Sequence, residues 1–152
     1  MADDGSDGAA SVDIERVTAT PDLELKLPAR AENVAVIRHA FGGFAEALSV
    51  DEQTLADIKL AVTEACTNVV IHAYEDGEEG DLEVDASIDD DRLTVVIRDN
   101  GRGIVPRPDS PGLGLGLPLI ATLAESLELG KDSGDQTEVR MTFRLDEDRD
   151  PQ

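Results

Sequence analysis

Glu64 and Asn68 stand four residues apart in Ala61-Val-Thr-Glu64-Ala-Cys-Thr-Asn68-Val-Val-Ile-His72-Ala-Tyr74. On a helix that spacing stacks a carboxylate and a carboxamide on one face. The pair sits one residue off an apolar stripe of Leu55, Ile58, Val62, Ala65, Val69 and Ala73, where a core meets a possible cleft. Taken alone, it also reads, and more simply, as two boundary side chains making local hydrogen bonds. Asp99 ends an apolar strand just before Gly101-x-Gly103. It can start an Asx turn. As a partly buried carboxylate it can instead accept a hydrogen bond from the exocyclic amine of adenine, rejecting guanine because the wrong base leaves a buried acceptor unpaired. In Gly101-x-Gly103 the missing side chains let backbone approach a ligand. Gly112-x-Gly114-x-Gly116 meets a helix start, where free N–H groups and the dipole favour phosphate. Each glycine cluster on its own reads first as a tight turn. The second follows a proline-rich loop and has the wrong spacing for a dinucleotide fingerprint, and no G-x-x-x-x-G-K-[ST] phosphate loop is present.

Alternation and helical periodicity supply the elements that must hold these residues. Residues 1–20 read as a disordered acidic leader, 21–146 as one domain and 147–152 as a charged tail. Leu23, Leu25 and Leu27 alternate in a strand closed by Pro28. From Ala31 the period changes, and Val34, Ile37, Phe41, Phe44 and Leu48 mark one face of a helix. Gly42 and Gly43 inside it should cost about 1 kcal/mol each relative to Ala, which close packing of a neighbour would explain. Ser49 and Glu52 have capping-box spacing, so the central helix is expected from Val50 to Tyr74. After a loop at Glu75–Gly80, two alternating runs around Asp89-Asp90-Asp91 predict a hairpin. Pro106, Pro108 and Pro111 exclude a helix or inner strand there. A helix then runs through Leu119, Ile120, Leu123 and Leu127, with Pro118 tolerated as part of its first turn. A short strand at Glu128–Gly130, a polar turn at Lys131–Gln136 and a last strand at Thr137–Leu145 complete the chain.

Composition narrows the partners. With 34 acidic and 13 basic residues, the net charge is −21. Such a surface repels phosphate backbones and anionic lipids, which argues against nucleic acid and membrane. It fits a high-salt cytoplasm or simple solubility. Cys66 is the single cysteine, can form no internal disulfide and falls in the apolar helical pattern as core filler. Without a secretory apolar segment or a long apolar run, the expectation is a cytoplasmic protein.

Glu64-Ala-Cys-Thr-Asn68, Asp99-Asn-Gly101-Arg-Gly103 and Gly112-Leu-Gly114-Leu-Gly116-Leu117 lie in order on a helix, a strand end and a helix start. Together they resemble the N, G1 and G2 boxes of the GHKL (Bergerat-fold) ATPases, the superfamily of gyrase B, Hsp90, MutL and histidine-kinase catalytic domains. The small size, the Glu-Ala-x-Thr-Asn form and the Ile71-His72-Ala73-Tyr74 ending look like the anti-sigma-factor serine kinases of RsbW and SpoIIAB type. The resemblance covers residues 23–145. It implies an α+β two-layer sandwich, with a mixed, mainly antiparallel sheet covered on one face by three helices. It also implies ATP and Mg²⁺, with Asn68 as the metal ligand and Glu64 as the general base for a substrate serine hydroxyl. Asp99 would read adenine, Gly101 and Gly103 form the turn beneath the base, and Thr137 support that site. Gly112, Gly114 and Gly116 would bind phosphate. His72, four residues from Asn68, reads as a packed, hydrogen-bonded histidine or as a phosphate contact.

The implied partners are a sigma factor, an anti-anti-sigma STAS-domain protein and a second copy of the chain in a homodimer. The implied activity is phosphorylation of the STAS partner, which competes for the sequestered sigma factor. A module that binds ATP and the sigma factor without transfer, and a detached histidine-kinase catalytic domain, are the alternatives. His39 lies in the first amphipathic helix rather than in a preceding dimerisation helix, which disfavours the last. Three departures bear on transfer. Eight residues separate Gly103 from Gly112, so the lid is short; Asp109-Ser110-Pro111 stands where a basic residue is usual, leaving Arg102 and Arg107 as the nearest cations; and Gln136 replaces the glycine before the supporting threonine.

Overall fold

Alternating apolar residues build a sheet with one dry face. The computed structural model describes residues 20–74, 78–101, 111–132, 134 and 136–145, with backbone alone for 111–115. Its strands are β1 (Leu23–Pro28), β2 (Asp81–Asp89), β3 (Arg92–Asp99), β4 (Ser126–Lys131) and β5 (Thr137–Arg144), in the order β1-β2-β3-β5-β4. Every pairing is antiparallel, so the expected mixture reduces to a purely antiparallel sheet among the described residues. Leu82, Val84 and Ala86 of β2, Leu93, Val95 and Ile97 of β3, and Val139, Met141 and Phe143 of β5 are all buried on the inner face. The leader, the tail and the proline segment lie outside the described residues.

Three helices cover that face: α1 (Ala31–Ala47), α2 (Glu52–Asn68) and α3 (Pro111–Leu123). Val34, Ile37, Phe41 and Ala45 bury one stripe of α1, and Phe44 meets Phe41 edge to face at 6.2 Å. Ile58, Ala61, Val62, Ala65 and Cys66 bury α2, whereas Leu55 is only half-buried.

The start of α2 differs from the capping-box expectation. Asp51 is the N-cap and accepts the Thr54 N–H at 2.7 Å. Ser49 is committed elsewhere: its N–H and that of Leu48 close α1 on the Glu46 and Ala45 carbonyls, and it turns the chain at φ 60°. The other end of α2 also departs from a uniform helix. At Val69–Ala73 the winding widens into a π turn, and Tyr74 leaves it extended.

Two expectations for α3 are corrected. Pro111 begins the helix, where a missing N–H costs nothing. Pro118 therefore lies in the interior rather than the first turn, so the Gly114 carbonyl lacks its usual N–H partner. Leu127 is not helical: Glu125 N–H already bonds the Thr142 carbonyl at 2.7 Å, and Leu127 sits in β4. The expected short strand is thus longer, and it forms a sheet edge.

Close packing does not explain Gly42 and Gly43. A Cβ on Gly42 would meet only the Lys59 side chain at an ordinary 3.7 Å, and one on Gly43 would meet nothing within 4 Å. Gly43→Ala should therefore stabilise the protein by about 1 kcal/mol through helix propensity alone, read as a higher midpoint in denaturant; an unchanged or lower midpoint contradicts the open environment.

Candidate functional site

The C-terminal half of α2 gathers the motifs. Asn68 is 4% exposed, yet its Nδ2 makes no hydrogen bond. A buried amide left unpaired costs about 1–3 kcal/mol, and such a group marks a place where a partner belongs. Gly116 of α3 lies directly against it: a Cβ there would stand 2.6 Å from Asn68 Nδ2 and 3.2 Å from Oδ1. Two boxes far apart in sequence thus share one contact, and any side chain at Gly116 would have to move the Asn68 amide. Glu64, one turn earlier on α2, is half-buried and has no hydrogen-bond or ion-pair partner among the described residues. The simple reading of Glu64 and Asn68 as locally bonded boundary residues is not met.

Asp99 is 1% exposed at the end of β3. Its Oδ1 accepts the Gly101 N–H at 3.0 Å, so the Asx turn is real. A carboxylate has several acceptor positions, so an Asx turn does not by itself exclude the adenine-reading role. Thr137, also buried, is its direct cross-strand neighbour on β5. Gly101 makes its close approach to protein rather than to open space. A Cβ there would overlap the Ala73 carbonyl oxygen and stand 2.8 Å from the Tyr74 ring. The turn after β3 is therefore seated on the end of the π turn, which places Asp99 and Thr137 beside the same helix that carries Glu64 and Asn68. Gly112 and Gly114 lie in the first turn of α3. Gly103, Arg102 and Arg107 lie outside the described residues.

Burial pushes the Cys66 thiol up, so it stays protonated, consistent with core packing. His72 is half-buried and engaged with a neighbouring group. Among the described residues no three His, Cys, Asp or Glu side chains cluster as a metal site. A hard cation at Asn68 would accordingly be held by that carboxamide oxygen together with oxygens of a ligand and water. Sequence reasoning noted Tyr74 only as the end of the Ile71-His72-Ala73-Tyr74 signature and gave it no task, and it assigned none to Gly80; the structure packs the Tyr74 ring against Gly101 of the turn after β3 and against Gly80.

Gly116 supplies a test of this packing. Gly116→Ala gains helix propensity but must displace the Asn68 side chain, and overpacking of this kind costs about 1–3 kcal/mol. A lowered denaturation midpoint is expected, opposite in sign to Gly43→Ala; equal stabilisation by both substitutions would refute the contact.

Comparison with known proteins follows the same residues. Residues 27–143 match the family of histidine kinase-like ATPase domains. A serine-protein kinase RsbW from Halalkalibacterium halodurans is 36% identical over 134 residues, covering 78% of this chain and 82% of its own. An anti-sigma F factor from Clostridium beijerinckii is 32% identical over 128 residues, covering 77% and 90%. A crystal structure of RsbU and RsbW domains from Mycobacterium tuberculosis superposes with a TM-score of 0.66 at 23% identity, over 83% of this chain. The chain spans about a third (32%) of that longer solved chain, and the likeness shows the shared fold. A helix-covered antiparallel sheet with these three boxes, matched over this length, places the chain in the histidine kinase-like ATPase domain family.

Proposed function

We propose that this chain is an ATP-dependent protein-serine kinase and anti-sigma factor, one that sequesters a sigma factor and phosphorylates an anti-anti-sigma STAS-domain partner. The observation that carries the reading is a pair on one helix face: an unpartnered Glu64 carboxylate one turn from a buried, unpaired Asn68 amide pressed on Gly116. The relatives named serine-protein kinase and anti-sigma F factor support both halves of the activity.

Each residue then has a task. Asp99 accepts the adenine amine from a position fixed by Gly101 N–H, Thr137 flanks it, and Gly101 with Gly103 forms the turn beneath the base. The free N–H groups of Gly112, Leu113 and Gly114 in the first turn of α3 hold phosphate oxygens, while Gly116, a turn further in, brings that helix against Asn68. Asn68 ligates Mg²⁺, which supplies charge neutralisation to the triphosphate when bound. Glu64 takes the proton from the acceptor serine as its oxygen attacks the γ-phosphorus; the new O–P bond forms, the bond to the β-phosphate oxygen breaks, and ADP leaves. The protein acts in the cytoplasm as a homodimer in this reading, supported by its similarity to RsbW-type kinases. Among the described residues no helix is long and apolar enough to cross a membrane.

A groove of about 520 Å³ beside α2 suits the protein partner. It is lined by Leu55, Ala56 and Leu60, with Arg38 of α1 and Lys59 and Glu52 of α2 around them, and ends at Thr63, next to Glu64. Of nine described Lys and Arg residues, only Arg38 and Lys59 have no polar partner. Two cations without partners among the described residues outnumber the one carboxylate, Glu52, around an apolar floor, and on a chain of net charge −21 they fit an acidic, partly apolar segment of the STAS partner. Leu60 lies one turn from Glu64, so a segment seated there leads toward the base.

Glu64→Gln should leave ATP affinity nearly unchanged and slow transfer by about 10²–10⁴-fold, whereas Asn68→Ala should lose Mg²⁺–ATP affinity and transfer together. Calorimetry and a labelled-phosphate assay with the STAS partner read both. Wild-type protein that binds ATP and a sigma factor but transfers nothing would leave the ATP-binding anti-sigma module, with the short lid as its reason. Separately, Arg38→Glu should weaken STAS-partner binding about tenfold at low salt without changing ATP affinity; an unaltered partner affinity would remove the groove from the interface.

A further inference from the structure

The Tyr74 side chain is held more tightly than a residue leaving a helix requires. Its ring enters a slot between two glycines. A Cβ on Gly80 would overlap the ring, and one on Gly101 would stand 2.8 Å from it. The hydroxyl oxygen lies 2.6 Å from both the Asp81 carbonyl oxygen and Asn100 Oδ1, and it accepts the Asn100 N–H at 3.1 Å. A phenol has one proton, so it donates to one of those acceptors at a time while accepting from Asn100. One oxygen thereby joins the start of β2, the turn after β3 and the end of the π turn. Burial, and the nearby charges of Asp99 and Asp81, raise the phenol above its ordinary range against the opposing Asn100 N–H bond, which keeps it a donor at neutral pH.

Asn100 is the residue between Asp99 and Gly101. The Gly101 N–H that fixes the Asp99 carboxylate is one peptide away from the backbone that the tyrosine hydroxyl holds. We propose that Tyr74 is the positioning residue of the base-reading turn, its hydroxyl and the two glycine notches fixing where Asp99 presents its carboxylate to the adenine ring. Tyr74 acts through Asp99 and touches neither phosphate nor the acceptor serine. Its role is confined to ground-state recognition: it sets nucleotide affinity and base choice and leaves transfer from bound ATP alone. The proposal rests on the reading of Asp99 given above.

The test uses the full chain with Mg²⁺. Tyr74→Phe removes only the hydroxyl; Gly80→Ala keeps it and pushes the ring aside. Each should weaken ATP binding about tenfold, the worth of one lost hydrogen bond to a buried site, and reduce the preference for ATP over GTP by a similar factor. The transfer rate at saturating ATP should stay within about twofold of wild type, because the interaction is made equally in ground and transition states. A merely structural tyrosine would lower the melting temperature and leave the ATP-to-GTP ratio untouched, and that result in either folded variant overturns the proposal. A loss of transfer rate equal to the loss of affinity overturns it too. Asp99→Asn is the reference: if it leaves ATP affinity and base preference unchanged, the Asp99 reading itself has failed. If it abolishes them while Tyr74→Phe does not, the failure belongs to Tyr74 alone.

Discussion

Everything at the site depends on how closely α3 can approach α2. Ala61, Ala65 and Cys66 keep the α2 surface shallow, and Gly116 lets the α3 backbone come down onto Asn68. A Cβ at Gly116 would displace the Asn68 side chain. The approach leaves a carboxamide in a dry environment with its Nδ2 unsatisfied. Isolated, this is a local penalty that burial of Ile58, Val62 and Val69 on the same helix must offset. A fold that retains such a group has positioned it for something other than the core.

Charge is distributed with equal economy. On the open face of the sheet Arg98 bonds Asp85 at 2.8 Å and approaches Glu138 at 3.4 Å, so the central strand is tied to both neighbours. Burial lowers the Arg98 pKa, but Asp85 and Glu138 outweigh it and hold the guanidinium above its ordinary range. Arg140 pairs Glu138 at 2.9 Å and extends the lattice. With 13 basic residues set against 34 acidic ones, cations used this way are not available elsewhere. That is why the two without partners among the described residues, both at one groove, carry more weight than surface lysines usually do.

Much of this was legible in the residues. Strict alternation located β2, β3 and β5, and helical spacing located α1 and α2 to within a few residues, because a half-buried element cannot hide its period. The boxes gave the order of the site. What escaped depends on competition between neighbours. Ser49 has good N-cap chemistry, but closing α1 took its backbone first, and Asp51 inherited the cap. Pro118 looked like a first-turn proline because Pro111 looked like loop; one helix start decides both. Gly101 announced a close approach without saying to what, and the answer, the Ala73 carbonyl and Tyr74, requires a contact across 27 residues of sequence. Gly42 and Gly43 announced the same and meant nothing by it.

The two acidic residues of the site illustrate how placement divides labour. Asp99 is almost fully buried and already accepts a backbone N–H, so the cost of dehydrating its charge is met before any ligand arrives. A carboxylate fixed in that way serves recognition, because a fixed acceptor discriminates between a base that offers a proton and one that does not. Glu64 is half-buried and bonded to nothing among the described residues. In the proposed mechanism it keeps both oxygens for a proton that arrives only during reaction, a capacity that a neighbouring donor occupying it would remove. Reading needs a restrained carboxylate and proton transfer needs an unengaged one. The proposed site has one of each, on β3 and α2, and the π turn with its terminal tyrosine is the element that joins their two supports.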